Sequence, residues 1–219
     1  MAGYVGDEVE EERKPPYTGS ILMSEFVGQN FRGMLLSLCA KHNLTLTSDE
    51  LSKYVGAEED AVIAKINSTP GLQPCSGVFP ELDWAKEQGF EMAVVSSSAL
   101  RRVNASLEKV GMEKYFGSKV FSAATSLPKP TSKPDPAIYK FAVEKLGKSS
   151  EECVAVEDSK SGTLSAVRAG LKVVGYVGCY EGEERKEMEK TLKETGAGVV
   201  MGEWAEFKSA LDTIAKAKL

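Results

Sequence analysis

The chain is poor in the side chains most often used for acid–base and redox chemistry. It has one histidine in 219 residues, His42. That residue follows an apolar helical stretch, where a helix C-terminal position suits it better than the role of a general base. The four cysteines, Cys39, Cys75, Cys153 and Cys179, stand far apart without C-x-x-C spacing, which argues against a zinc or dithiol motif. Reduced thiols and no secretory leader fit a cytoplasmic protein, and the Asn-x-Ser/Thr sequons at Asn43, Asn67 and Asn104 are then chance. No apolar run approaches the length of a membrane span. The formal charge of −5 offers no bulk attraction to nucleic acid or anionic lipid. Aspartate is sparse as well, at seven residues: Asp7, Asp49, Asp60, Asp83, Asp135, Asp158 and Asp212.

With 42% apolar and 27% charged residues, the chain reads as an ordinary globular protein of one domain plus an insert, or of two small domains. Residues 1–20 form a charged tail: Asp7 to Lys14 is almost wholly charged, and Pro15-Pro16 blocks helix continuation. Residues 21–75 read as a small helical domain. Phe31, Met34, Leu35, Leu38 and Cys39 give one helix an apolar face, Thr47 or Ser48 caps a second with Glu50 in its first turn, and Val62, Ile63 and Ile66 suggest a third.

From residue 76 to 219 the rhythm changes to short apolar strands alternating with helices. Strands are expected at Met92–Val95, Lys119–Phe121, Val154–Val156, Val173–Val177 and Val199–Met201, with amphipathic helices between them. That alternation predicts an α/β fold, a parallel sheet with helices on both faces. Ligands of such sheets collect at the C-terminal ends of the strands.

Three patches fall at those ends. Ser96-Ser97-Ser98 follows the first strand and opens a helix, where a hydroxyl and free N–H groups can hold an anion; simple helix capping is the plainer alternative. Lys133 lies in Ser-Lys-Pro-Asp-Pro, and Pro134 and Pro136 stiffen the loop that aims its ammonium group. Glu157-Asp158-Ser159 ends a buried strand. Adjacent carboxylates there repel and call for a cation, and magnesium accepts one or two carboxylates plus water and phosphate oxygens.

In order and spacing, Ala93-Val-Val-Ser-Ser-Ser98, Ser132-Lys-Pro-Asp-Pro-Ala-Ile-Tyr139 and Val156-Glu-Asp-Ser-Lys-Ser-Gly162 resemble the haloacid dehalogenase superfamily, in particular its β-phosphoglucomutase-like phosphatase branch. Ala166-Val-Arg-Ala-Gly170 and Phe26-Val-Gly-Gln-Asn-Phe-Arg32 are similar to that branch too. The resemblance implies a Rossmannoid α/β core with a helical cap domain and magnesium-dependent hydrolysis of a small phosphorylated metabolite through an aspartyl-phosphate. It implies that Ser96 binds the phosphoryl group with Ser97 and Ser98 beside it. Lys133 would neutralise charge, Asp158 and Glu157 would hold Mg2+, and Gln29, Asn30 and Arg32 in the cap would select substrate.

One part of the pattern is missing. The family opens with a central strand ending in Asp-x-Asp, next to the strand that leads to Glu157, and its first Asp is the nucleophile. Here only Asp7 precedes the cap, after Tyr4-Val5-Gly6 and with Val9 where the second Asp belongs. The expectation is therefore a chain truncated at its start and inactive or weakly active. A non-catalytic phosphate-binding or regulatory protein and a phosphomutase are the alternatives. A receiver-like or flavodoxin-like sheet is disfavoured by the helical region and the Lys-Pro-Asp-Pro loop. Oligomeric state is open.

Overall fold

A computed structural model describes residues 31–216. The charged tail, Asp7, Gln29 and Asn30 therefore lie outside the described residues. The chain divides into two compact units, Met1–Gly56 and Ala57–Leu219.

In the first unit lie helix α1 (Phe31–Lys41) and the start of α2 (Ser48–Ser68). Thr47 and Glu50 begin α2 together: the Thr47 N–H donates to Glu50 Oε2 at 2.8 Å, and the Glu50 N–H donates to Thr47 Oγ1 at 3.2 Å. This reciprocal pairing satisfies donors that a helix start leaves open. The second and third helices expected from sequence are one continuous helix. Only Gly56 interrupts its helix formers, and a single interior glycine costs just about 1 kcal/mol.

The second unit carries α3 (Val78–Glu87), β1 (Val94–Ser96), α4 (Leu100–Lys109), the short α5 (Glu113–Phe116), β2 (Val120–Ser122) and α6 (Ala137–Lys145). It continues with β3 (Val154–Glu157), α7 (Lys160–Arg168), β4 (Lys172–Tyr176), α8 (Gly182–Thr195), β5 (Val199–Met201) and α9 (Phe207–Lys216). The alternation matches the sequence reading, with strand boundaries moved by a residue or two. Two of those shifts matter, because Ser96 and Glu157 are the last residues of β1 and β3 rather than the residues after them.

Among the described residues all strand pairs are parallel, and the strands fall into two sheets, β1–β2 and β3–β4–β5. The Val94 N–H donates to Lys119 and the Ser96 carbonyl accepts from Ala123, both on the β2 side. By alternation, the N–H and C=O of Val95 point the other way. Among the described residues no strand pairs with that edge of β1, and none pairs with the edge of β3 opposite β4. The break adjoins the strand leading to Glu157, where the resemblance places the family's leading strand.

Helix α6 spans this break. Its buried Ile138, Tyr139 and Val143 share one apolar cluster with Ala155 of β3, Val173 of β4 and the partly buried Val95 of β1 and Phe121 of β2. Ile138 is wholly buried, and burying such a side chain is worth about 1.5–3 kcal/mol. On the opposite side α9 covers β4 and β5 through Ala210 and Ile214, and α4 covers β1 and β2 through Val103 and Leu107. With helices on both faces, these short strands are mostly apolar. No helix among the described residues is long and apolar enough to cross a membrane.

Candidate active site

The C-terminal ends of β1 and β3 meet over the Lys133 loop. That loop is fixed from several directions. The Thr131 N–H donates to the Ala123 carbonyl at 2.9 Å, and Asp135 Oδ1 accepts from the Ala137 N–H at 2.8 Å, which starts α6. Ser165 Oγ of α7 donates to the Asp135 carbonyl at 2.7 Å. Proline at 134 and 136 leaves the loop two fewer N–H donors to satisfy.

The serine run is built into the same framework. Ser96 Oγ accepts from the Ser98 N–H at 3.1 Å, and Ser97 Oγ accepts from the Lys133 N–H at 3.0 Å. The Ser98 carbonyl accepts from Ser122 Oγ at 2.7 Å, and Ser122 is wholly buried at the end of β2. Ser97 thus ties the β1 loop to the lysine loop. Ser122, which the sequence reading did not single out, holds the serine turn from below. The signal for it was weak: a serine closing a short apolar strand.

Lys133 Nζ donates to the Val95 carbonyl at 2.9 Å and to Glu157 Oε1, so one ammonium bridges β1 and β3. The Lys133 and Glu157 side chains are 11% and 7% exposed. A buried ion pair needs further hydrogen bonds to offset desolvation, and Tyr139 supplies one. Its hydroxyl donates to the same Glu157 oxygen, while its ring lies 5.0 Å from Lys133 Nζ. Burial, then the charge of Glu157 and the hydrogen bond to it, push the Tyr139 phenol far above its ordinary range. Tyr139 was part of the quoted motif but was not expected to be a site residue.

Glu157 and Asp158 part company. Glu157 turns inward to Lys133 and Tyr139 and packs against Gly162, where an added Cβ would come within 1.8 Å of Glu157 Oε2. Asp158 is exposed, and its carbonyl accepts from the Tyr180 hydroxyl at 3.0 Å. Burial first, and then the charge of Asp158, raise the pKa values of Cys179 and Tyr180. Asp158 is the free carboxylate of the pair. Among the described residues no cluster of three or more His, Cys, Asp or Glu side chains gathers for a metal. One free acid fits a magnesium ion that takes its remaining ligands from water and phosphate, not an all-protein cage.

The other aspartates described in the second unit are engaged elsewhere. Asp60 pairs with Arg101 at 2.8 Å, Asp83 accepts from the Tyr115 hydroxyl at 2.7 Å, Asp135 starts α6, and Asp212 lies exposed on α9. Arg32 is exposed on α1 of the first unit.

Comparison with known proteins gives this arrangement a family. The family model for haloacid dehalogenase-like hydrolases matches residues 23–176. The chain is 29% identical over 170 residues to the phosphorylated carbohydrates phosphatase of Thermotoga maritima, covering 77% of this chain and 74% of that one. It is 36% identical over 111 residues to a haloacid dehalogenase-like hydrolase domain-containing protein of Arabidopsis thaliana, covering 50% of this chain but 34% of the plant protein. The match thus spans only about a third of that relative's length. Among solved structures, a HAD family hydrolase from Deinococcus radiodurans, crystallised with phosphate and sodium, superposes with a TM-score of 0.60 at 26% identity, covering 86% of this chain and 78% of that one. A HAD hydrolase from Entamoeba histolytica gives a TM-score of 0.72 at 21% identity, covering 91% and 84%, a likeness of fold.

Proposed function

The chain belongs to the haloacid dehalogenase-like hydrolase family, and from that premise we propose that it binds a small phosphorylated metabolite where β1 and β3 end. The parent reaction is phosphomonoester hydrolysis, in which water and the ester yield an alcohol and inorganic phosphate. One observation carries the reading. Lys133 Nζ is bonded to the carbonyl of Val95, the residue before Ser96, and to Glu157, the residue before Asp158. The lysine thus lies beside the strand ends that carry Ser96 and Asp158, which supports a shared role for a hydroxyl, a cation and a carboxylate there.

There the Ser96 hydroxyl, whose oxygen accepts from the Ser98 N–H, keeps its own proton to donate to a phosphoryl oxygen. Lys133 has three N–H donors, two of them used by Val95 and Glu157, and the third serves the phosphate. Asp158 would hold Mg2+, which when bound neutralises phosphate charge. Ser97 fixes the position of Lys133 through its backbone, and Ser98 is held by Ser122. Gln29, Asn30 and Arg32 stay candidates for substrate selection. Such sites work mainly by positioning and charge neutralisation.

The covalent step requires a carboxylate nucleophile, and only Asp7 precedes the cap region. For these 219 residues the proposal is therefore phosphate binding with very low turnover. The phosphomutase alternative needs the same nucleophile.

The test compares the chain with a version carrying an added apolar strand ending in Asp-x-Asp ahead of the cap. With p-nitrophenyl phosphate and Mg2+, the chain alone should be nearly silent and the extended version faster by orders of magnitude. Equal rates would overturn the nucleophile account. Calorimetry that detects no phosphate binding to the chain in Mg2+ would overturn the site itself.

A further inference from the structure

We infer that Tyr139 is a positioning residue for Lys133: its buried phenol holds the Glu157 carboxylate inward, so the ammonium keeps one orientation at the end of β1. The geometry stands on its own; the consequence for ligand binding rests on the phosphate-site reading above.

Tyr139, on α6, touches both members of the ion pair. Its ring lies 5.0 Å from Lys133 Nζ, and its hydroxyl donates to Glu157 Oε1, the oxygen that also accepts from Lys133. Tyr139 is 5% exposed, and a buried phenol needs a partner for its O–H. The carboxylate is boxed in on its other side, where Glu157 Oε2 occupies the space a side chain at Gly162 would fill. Glu157 is thereby pinned between α6 and α7, and Lys133 is pinned by Glu157 and by the Val95 carbonyl. An ammonium fixed in advance loses less freedom when it meets an anion.

The consequence differs from that of ordinary core packing. Without the hydroxyl but with the ring kept, the apolar cluster around Ile138, Val143 and Ala155 is preserved. Glu157 loses one of its two described donors and its single orientation, and Lys133 loses its fixed partner. The lysine becomes more reachable to solvent while the fold stays intact.

The experiment is Tyr139→Phe on the full chain with two readouts. The first is acylation of Lys133 by a small anhydride, read by peptide mass spectrometry against exposed Lys140 on the same helix. The second is calorimetry with inorganic phosphate in Mg2+. A hydrogen bond to a charged group is worth enough that Lys133 labelling should rise several-fold relative to Lys140 and phosphate affinity should fall about tenfold. A loosened fold would raise labelling at all buried lysines alike, so a rise confined to Lys133 supports positioning. Unchanged Lys133 labelling in a folded variant overturns it. If the unmodified chain binds no phosphate yet Tyr139→Phe raises Lys133 labelling, positioning stands and the phosphate reading falls. If the chain binds phosphate and the variant matches it in both readouts, the reverse holds.

Discussion

Lys133 Nζ and the Val95 carbonyl oxygen lie 2.9 Å apart, so a loop lysine caps a strand carbonyl that points away from the only strand described beside it. The same ammonium neutralises Glu157. The lysine therefore serves the fold as well as the proposed ligand site.

Lys133→Met should destabilise the protein by about 3–5 kcal/mol, because it leaves a buried carboxylate unpaired. Adding Glu157→Gln should recover part of that loss. Urea unfolding of both variants measures it, and additive losses would mean that the two side chains do not interact.

Gly162→Ala places a methyl group where Glu157 Oε2 now sits. Overpacking of this kind costs about 1–3 kcal/mol. The cost should shrink when Glu157 is shortened to alanine in the same chain, and thermal melts of the double-mutant cycle provide the check.

Ser122→Ala removes a buried hydroxyl that donates to the Ser98 carbonyl at 2.7 Å and accepts from the Thr125 N–H at 3.1 Å. The Thr125 N–H keeps the Ser122 carbonyl at 3.3 Å, so the loss falls on the Ser98 carbonyl and should cost about 1–3 kcal/mol. Phosphate binding, followed by calorimetry, should weaken with it, because the serine turn loses its support.

Asp158→Asn changes an exposed side chain and should move stability by no more than about 0.5 kcal/mol. Phosphate binding should lose its dependence on Mg2+. Titrations with and without the metal read this directly; a metal effect that survives the substitution would place the cation elsewhere.

Glu152 accepts from the Ser149 backbone N–H at 2.8 Å, and that bond, followed by the Ser149 hydroxyl, holds its carboxyl below the usual range. A pKa lower in the folded than in the unfolded state gives stability that is present above the ordinary carboxylate range. It fades as pH falls through the folded value. Glu152→Gln should therefore be slightly less stable than the parent at pH 7 and equal to it in strong acid, as acid-series unfolding curves would reveal.

Much of this protein was open to reading from local pattern. Val94, Val154 and Val173 belong to short apolar runs between amphipathic helices, and such runs are enough to identify buried parallel strands because both faces must be covered. Ser96 and Glu157 were legible as strand-end residues because each closes a short apolar run. The continuous helix from Ser48 to Ser68 was harder to see, since Gly56 weakens a helix without ending it.

Sequence alone determined the order of elements through near-neighbour periodicity, and the family through the resemblance of its motifs. Only the tertiary structure separated the two adjacent acids, turning Glu157 into the core and leaving Asp158 outside. Adjacent residues at a strand end point to opposite sides, and which side is buried depends on Tyr139, Lys133 and Gly162, 18, 24 and 5 positions away. The pairing of β1 with β2 and of β3 with β4 was likewise decided across the fold. A strand's own residues do not specify which neighbour will meet its edge.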